Sequence, residues 1–266
     1  LSFACSTVAV GWCLKKRILT LWWKKTNIIF EHCKGVYPER FFDIIYQNED
    51  YIVVNKEPEL SVHSGTNNQF GLIDIARAKF PLLEIDLCHR IDKSTSGCVL
   101  LSKNKIFLRY FNKQLKSNEV VKKYEAILVG VLKKDMQIET KIDISTKEHH
   151  HRVQEAEVGK KAISVFKVLK KFHSFTHAEI LISTGRMHQI RVQSSNLNHP
   201  IVNDKKYGLF DLNKYILKKT SINRLALHAS SISFQDLTKQ TVSYQATKNN
   251  EFDILLSKLN NLTVKI

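Results

Sequence analysis

A histidine, an arginine and an aspartate lie within the four consecutive positions from His89 to Asp92, ahead of a Thr-Ser-Gly turn and an apolar run. An aspartate in this position could be a turn residue whose carboxylate accepts hydrogen bonds from the local backbone. It could also be an ionised group that acts as a nucleophile or as a general base. Residue type alone leaves both interpretations open.

A second stretch with possible chemistry reads STGRMHQIRVQSSNLNHP and begins at residue 183. We predict that Thr184 caps a helix and that His188 and Arg191, three positions apart, lie together on one of its faces. The predicted buried stripe of this helix consists of Met187, Ile190, Ser194 and Leu197. An arginine beside a core requires a carboxylate or an anionic ligand, and Asp92 is the candidate carboxylate.

The run EHHHR at 148–152 resembles a metal-binding cluster. However, consecutive side chains point to opposite faces of a strand and fan out around a helix. A solvated basic loop is therefore the favoured interpretation of this run.

The charge of the chain favours an anionic partner. Lysine and arginine number 41 against 25 acidic residues, which gives a formal net charge of +16 over 266 residues. Such an excess is typical of proteins that bind a polyanion, although a lysine-rich codon bias is the alternative explanation.

The five cysteines contain no C-x-x-C pair, which favours a reducing cytoplasm over a disulfide framework or a zinc cluster. The first apolar run is short and its basic residues follow it, so we expect neither export nor a membrane anchor.

The pattern of apolar residues predicts an α+β protein with a largely antiparallel sheet. Runs rich in β-branched and aromatic residues predict strands at 51–56, 97–103, 124–130, 162–169, 175–183, 225–234 and 241–247. The fourth and fifth runs flank a short polar turn and predict an antiparallel hairpin. Helical spacing occurs at 107–115 and at 254–259, the latter after a polar KNNE that could supply an N-cap. We predict one compact domain over 41–266 and leave 1–40 unassigned.

Five motifs of this chain, and the order in which they occur, closely resemble those of the RluA-type family of RNA pseudouridine synthases. The motifs are YIVVNKEPELSVHSG, HRIDKSTSGCVLLSK, KKYEAILVG, TGRMHQIRVQSSNLNHPIVNDKKYG and RLALHASSISF, within about residues 43 to 247. The resemblance implies a pseudouridine synthase fold, in which a mixed and mainly antiparallel sheet with flanking helices surrounds a central catalytic cleft. It also implies action on structured RNA without a cofactor or a metal. Large-subunit ribosomal RNA is favoured over transfer RNA, and we expect a monomer without membrane association.

The same resemblance implies roles for individual residues. The catalytic aspartate of the family corresponds to Asp92, its active-site tyrosine to Tyr124, and its Ile-Arg pair to Ile190 and Arg191. Arg90 adjoins the catalytic aspartate and is expected to enter the RNA helix in place of the extruded uridine.

Three further residues are expected to support or bind the substrate, namely His89, Lys56 and His188.

Two departures from the family pattern lie near the predicted cleft. The family usually has Lys-Pro-x-Gly where this chain has KEPEL after Asn55, and Asn203 stands where a glycine commonly precedes Asp204. Both concern the shape of one cleft wall.

An ionised carboxylate suits the implied reaction, which breaks the bond between ribose C1′ and the base nitrogen and rejoins the base through its C5. Asp92 could attack C1′ or remove a C2′ proton, and the sequence does not choose between these routes. Arg191 is expected to favour the charged form of Asp92, and Tyr124 to offer a flat face and a phenol near C5. Two alternatives stay open: an inactive RNA-binding protein of the same fold, and a metal-dependent RNA hydrolase that uses His89, Asp92 and His188.

Overall fold

The computed structural model describes residues 41–64, 70–145, 152–155 and 159–264, which form eleven strands and five helices. The strands are β1 (Phe42–Gln47), β2 (Tyr51–Lys56), β3 (Asp86–Leu87), β4 (Ser96–Ser102), β5 (Val121–Val129), β6 (Met136–Ser145), β7 (Arg152–Glu155), β8 (Lys160–Lys171), β9 (Phe175–Ile182), β10 (Leu227–Gln235) and β11 (Thr241–Gln245). The helices are α1 (Leu72–Lys79), α2 (Lys105–Lys116), α3 (Gln189–Asn196), α4 (Phe210–Thr220) and α5 (Asn250–Leu259).

All strands of the described residues belong to one sheet. Its order is β1-β2-β4-β10-β5-β9-β8-β6-β7, with β11 paired to β10 and β3 paired to β4. Strands β4 and β10 run parallel, and the other strand pairs in the described part are antiparallel. The predicted α+β class with a mainly antiparallel sheet is confirmed, as is the predicted hairpin, which β8 and β9 form.

The sheet buries apolar side chains on both faces because successive residues of a strand point to opposite sides. In β2, Ile52 and Val54 belong to one core cluster, whereas Tyr51 and Val53 belong to another. Helices α1, α4 and α5 contribute to the first cluster, and α2 contributes Phe107 and other residues to the second. Strand β5, which contains Tyr124, lies between β10 and β9 and is thus interior to the sheet. Its neighbours on both sides fix the position of its backbone.

The helix predicted after Thr184 begins later than expected. Helix α3 starts at Gln189, and its N-cap position is His188 in the left-handed conformation, with φ 54°. The Thr184 hydroxyl instead accepts a hydrogen bond from Ile163 N at 3.0 Å and lies 2.9 Å from Gln189 Oε1. The predicted cap is therefore wrong, because this hydroxyl joins two segments rather than starting the helix.

The predicted stripe is also only partly correct. Ile190 and Ser194 are buried, but Met187 is 37% exposed and Leu197 is half-buried, since neither lies within the helix.

The C-terminal helix α5 does have the predicted kind of cap, because the Asn249 side chain accepts a hydrogen bond from Phe252 N. Positions 148–151 of the histidine run lie outside the described residues.

Within the described ranges, none of the helices is both long enough and apolar enough to cross a membrane.

Candidate active site

The segment 88–95, here called the HRID loop, connects β3 to β4 and carries Asp92. A turn hydrogen bond of 3.1 Å runs from Thr95 N to Asp92 O. Lys56, at the end of β2, donates from Nζ to Lys93 O at 3.1 Å and to Glu57 O at 2.7 Å. These backbone contacts fix the loop, so the position of Asp92 follows from the two strands beneath it.

Lys56 is completely buried, and it does not line the pocket that contains Asp92. The structure therefore favours a supporting position over the expected direct contact with substrate. Burial lowers the pKa of Lys56 to about 7, against opposing contributions from nearby carboxylates. Its place in the structure is that of a tether between β2 and the HRID loop.

His89 also supports the loop. Its Nε2 accepts a hydrogen bond from Leu100 N at 3.1 Å, which ties the loop to β4. Burial lowers the pKa of His89 to about 3, so the ring is neutral at physiological pH. It does not line the Asp92 pocket but belongs to the wall of an adjoining one.

Arg191 connects two carboxylates that are far apart in sequence. Its Nε and Nη2 donate to Asp204 Oδ2 and Oδ1 at 2.7 and 2.8 Å, which is a two-point ion pair. Its Nη1 donates to Asp92 Oδ2 at 3.1 Å. The predicted contact between Arg191 and Asp92 is confirmed, but the principal partner of the guanidinium is Asp204.

The electrostatics of this group favour the charged forms of Arg191 and Asp204. Burial alone would lower the pKa of Arg191, but its hydrogen bonds to Asp204 and Asp92 raise it above the ordinary value. Burial would likewise raise the pKa of Asp204, but Arg191 and the backbone N–H groups of Lys206 and Tyr207 hold it below the ordinary value. The partly exposed carboxylate of Asp92 thus faces a permanent positive charge.

His188 and Tyr207 complete the surroundings of Asp92. His188 Nε2 lies 3.9 Å from Asp92 Oδ2, and its Nδ1 lies 2.8 Å from the Tyr207 hydroxyl. Burial lowers the pKa of His188, although the charge of Asp92 opposes this. The Tyr207 ring packs 5.2 Å from the Arg191 guanidinium, which favours a fixed orientation of Arg191.

A pocket of about 240 Å³ opens above Asp92. Its walls include most of the residues that the sequence placed in the cleft, namely Arg90, Asp92, Tyr124, His188, Ile190 and Arg191. This volume lies below the ~300 to 1,000 Å³ of sites for drug-sized ligands. We call it the target pocket.

Tyr124 comes from β5 and Ile190 from α3, and both are buried in the pocket wall. Burial raises the pKa of Tyr124, and the charge of Asp92 adds to the rise. The phenol therefore stays protonated at neutral pH and could act as a hydrogen-bonding group, but not as a tyrosinate. Arg90 is exposed at the rim, where a long side chain can reach a ligand.

Sequence reasoning missed three side chains of this site: Asp204, Tyr207 and Lys122. The first two lie in the quoted stretch NHPIVNDKKYG, and the third lies two positions before Tyr124. The sequence shows that all three residues lie within the quoted motifs, but it does not show their contacts, which depend on tertiary packing. Among the described residues, no three His, Cys, Asp or Glu side chains are grouped so that they could hold a metal ion.

Comparison with known proteins identifies the class to which this site belongs. The model of the family described as RNA pseudouridylate synthase matches residues 50–196. These residues include the HRID loop, Tyr124 and Arg191, and the chain belongs to this family.

Individual relatives agree with this assignment. The ribosomal large subunit pseudouridine synthase C of Buchnera aphidicola subsp. Baizongia pistaciae (strain Bp) is 38% identical over 194 residues, which are 72% of this chain and 62% of the relative. The protein of the same name from Haemophilus influenzae is 32% identical, over 81% of this chain and 68% of the relative. The chain thus spans less than two thirds of the length of the first of these relatives.

The solved structure of human RNA pseudouridylate synthase domain containing 4 shares the fold. It superposes with a TM-score of 0.68 at 22% identity and covers 89% of this chain and 97% of that chain. The predicted pseudouridine synthase fold is confirmed.

Proposed function

We propose that this protein isomerises specific uridines of structured RNA to pseudouridine and that Asp92 is its catalytic carboxylate. The observation that carries the proposal is the ion pair of Asp92 and Arg191 in a pocket walled by Tyr124. A charged carboxylate, a fixed counter-charge and an aromatic wall are what cleavage of a glycosidic bond to a retained base requires.

The chemistry begins at the ribose of a flipped uridine. Asp92 either attacks C1′ or removes the C2′ proton, and the bond from C1′ to N1 breaks with its electron pair leaving on the uracil. The base rotates within the pocket, and its C5 forms a bond with C1′. As this bond forms, the ester bond from C1′ to Asp92 breaks and returns the carboxylate or, by the other route, Asp92 returns its proton to C2′. C5 then loses its proton and N1 gains one, so the product is an isomer of uridine. The reaction involves no net oxidation or hydrolysis.

The surrounding residues hold and orient the base. Tyr124 and Ile190 supply apolar surface against which the uracil packs, and stacking on an aromatic ring contributes ~1 to 3 kcal/mol per base. Unstacking a base costs a few kcal/mol, so the wall offsets much of that cost. Arg90 at the rim fills the space that the uridine leaves in the RNA helix, and His188 helps to orient Asp92.

We propose large-subunit ribosomal RNA as the substrate and the cytoplasm as the site of action. The relatives in bacteria are named for the ribosomal large subunit, and the cysteine pattern suits a reducing compartment. We further propose that residues 41–266 form the catalytic domain and that the protein acts as a monomer. An inactive binding protein would not need to retain Asp92 and Tyr124, and a hydrolase is not favoured by any of these relatives.

The test uses purified protein and an unmodified transcript of large-subunit ribosomal RNA, with pseudouridine mapped after incubation. We expect modification at few positions, unchanged by a metal chelator and absent from transfer RNA transcripts. Modification of transfer RNA alone would overturn the proposed substrate. A transcript that remains unmodified, or one that is cleaved in a chelator-sensitive reaction, would overturn the proposed activity.

A further inference from the structure

Lys122 is a buried lysine without a partner in the described part of the chain. It lies two positions before Tyr124 on β5, so both side chains point to the same face of the sheet. The residue is 7% exposed, and its ammonium has no hydrogen bond or ion pair with any described group. A largely buried side chain whose ammonium has no protein partner is costly, and an anionic ligand that reached the ammonium would offset that cost.

The ammonium of Lys122 lies where two pockets meet. A second pocket of about 600 Å³ adjoins the target pocket and shares Arg90, Lys122, Gly185 and Arg186 with it. Gly185 leaves room for this arrangement, since a Cβ on it would lie 3.1 Å from Lys122 Nζ. Both pockets are therefore within reach of the same ammonium.

The second pocket is strongly cationic. Its lining includes Arg90, Lys116, Lys122 and Arg186 and contains no aspartate or glutamate from the described residues. The Nε of Arg186 donates to Lys161 O at 2.9 Å, which anchors that guanidinium at the pocket wall. Four cations without a carboxylate in a wide, open pocket suit a phosphate-bearing ligand.

We propose that Lys122 binds the RNA phosphodiester group adjoining the flipped uridine and that the second pocket holds the neighbouring part of the strand. This inference rests on the proposed function, because the uridine in the target pocket places its flanking phosphates at the junction. A phosphate there supplies the counter-charge that the protein does not. Phosphate contacts position a nucleic acid without reading its sequence, so Lys122 is a general positioning contact.

The test compares Lys122→Met with Lys123→Met. Lys123 is the next residue on β5, points to the opposite face, and pairs with Glu179 at 3.6 Å with 42% of its side chain exposed. The affinity for a short single-stranded RNA is measured by fluorescence anisotropy over a range of KCl concentrations. We expect Lys122→Met to reduce the magnitude of the log-log salt slope by about 0.7, the value for one phosphate of single-stranded RNA. Lys123→Met should change the slope by much less.

An unchanged slope in Lys122→Met, or equal changes in both variants, would overturn the inference. Weaker binding at an unchanged slope would instead indicate contact with the base. Thermal unfolding separates ligand binding from folding. Because Lys122→Met removes an unpaired buried charge, its Tm should not fall below that of the wild type, and a marked fall would indicate a structural lysine.

The pH dependence of binding gives a second readout. Burial, followed by the charge of Arg186, lowers the pKa of Lys122 to about 8. A bound phosphate favours the charged ammonium, so the complex takes up a proton and wild-type affinity should fall as pH rises through about 8. The other basic side chains that face this region are Arg90, Arg186, Lys116 and His89, and burial lowers the pKa of His89 to about 3. Lys122→Met should lose this decline.

Failure of this inference is distinguishable from failure of the proposed function. Binding is scored without reference to turnover, whereas the proposed function is scored by pseudouridine in the transcript. Pseudouridine formation by the wild type together with an unchanged slope in Lys122→Met would reject the phosphate site alone. A reduced slope with no pseudouridine from the wild type would reject the proposed function and keep the phosphate site.

Discussion

At the scale of single residues, Arg191 is the centre of the candidate site. It is held by Asp204 through two hydrogen bonds and offers its remaining Nη1 to Asp92. Asp204 is 1% exposed as a side chain, whereas Asp92 is 22% exposed. The buried partner therefore orients the arginine, and the accessible partner is available for chemistry.

This arrangement predicts different outcomes for stability and for activity. Arg191→Met leaves the carboxylate of Asp204 buried without its cation, and breaking such a pair costs ~3 to 5 kcal/mol. The double variant Arg191→Met with Asp204→Asn removes that charge as well, so the free energy of unfolding should largely recover. The rate of pseudouridine formation should stay low in both variants, because Asp92 has lost its counter-charge. Recovery of the rate together with the stability would show that Arg191 serves only folding.

Lys56 gives a prediction for pH. The folded protein releases the Lys56 proton near pH 7, while an unfolded lysine keeps it to about pH 10.4. Between these values the unfolded state binds more protons, so the contribution of this group to the free energy of unfolding rises with pH. Lys56→Met should abolish that rise, as measured by urea unfolding from about pH 6.5 to 9. Lys123→Met, at an exposed position, is the control and should retain the wild-type dependence.

The same variant tests the tether to the HRID loop. Without the hydrogen bond to Lys93 O, the loop should hold Asp92 less firmly. The rate at saturating RNA should then fall while RNA affinity stays near that of the wild type. A loss of affinity at an unchanged rate would instead support the expected role of Lys56 as a substrate contact.

Tyr124 has a ring and a hydroxyl with separable contributions. Because the phenol stays protonated, it could only relay the C5 proton, accepting it on oxygen while its own proton leaves. Tyr124→Phe removes this relay but keeps the stacking surface, so the rearranged base should form while release of its C5 proton slows. RNA labelled with tritium at C5 of uridine measures that release directly. Tyr124→Ala should also weaken binding of the flipped base. Equal losses in the two variants would show that the hydroxyl contributes nothing of its own.

The sequence predicted the parts of the site that lie within short motifs. HRID and TGRMHQIR supplied Asp92, Arg90, Ile190 and Arg191, which the structure brings to one pocket. The pairing of Arg191 with Asp204 could not be predicted, because which carboxylate a buried arginine selects depends on tertiary packing. For the same reason Lys56 was assigned to the substrate, although it lies beneath the loop.

At the scale of elements, the HRID loop depends on a close approach of β4 to β10. Gly97 has φ +113° and pairs with Ala229, and a Cβ on Gly97 would overlap the Ala229 backbone. Only glycine adopts this conformation without strain. The contact between Gly97 and Ala229 is part of the parallel pairing of β4 with β10. It lies five positions after Asp92 in the chain.

Gly97→Ala should therefore destabilise the protein by more than the ~1 to 3 kcal/mol expected of backbone strain alone. Gly130→Ala is a matched control, because Gly130 also has a positive φ of 83° but faces only the His199 side chain. Urea unfolding of both variants measures the difference. Equal destabilisation would show that the approach of the two strands is not the constraint.

The elements predicted correctly were those with a strong apolar pattern. The buried strand β2 was predicted at its observed bounds, and the C-terminal helix α5 was recognised by its polar cap. Strand β3 has two residues and offers no period to detect. Helix α4 was missed because its lysines and exposed Phe210 obscure the apolar face formed by Leu212 and Ile216.

At the scale of the whole molecule, the excess positive charge and the target pocket have complementary effects in the proposed function. The net charge of +16 favours association with any polyanion, while the target pocket has a volume of only about 240 Å³. Under the proposed function, charge brings RNA to the surface, and conversion depends on the carboxylate of Asp92. Binding and chemistry should accordingly separate when that carboxylate alone is altered.

The most direct measurement is the single-turnover rate of pseudouridine formation by Asp92→Asn. The amide keeps the shape of the side chain but removes the charge that acts on the ribose. We expect pseudouridine formation to be lost while RNA affinity remains close to that of the wild type. Asp86→Asn, which alters a carboxylate paired with Arg77 outside the pocket, should keep the wild-type rate. If Asp92→Asn retained more than a few per cent of that rate, Asp92 would not be the catalytic carboxylate.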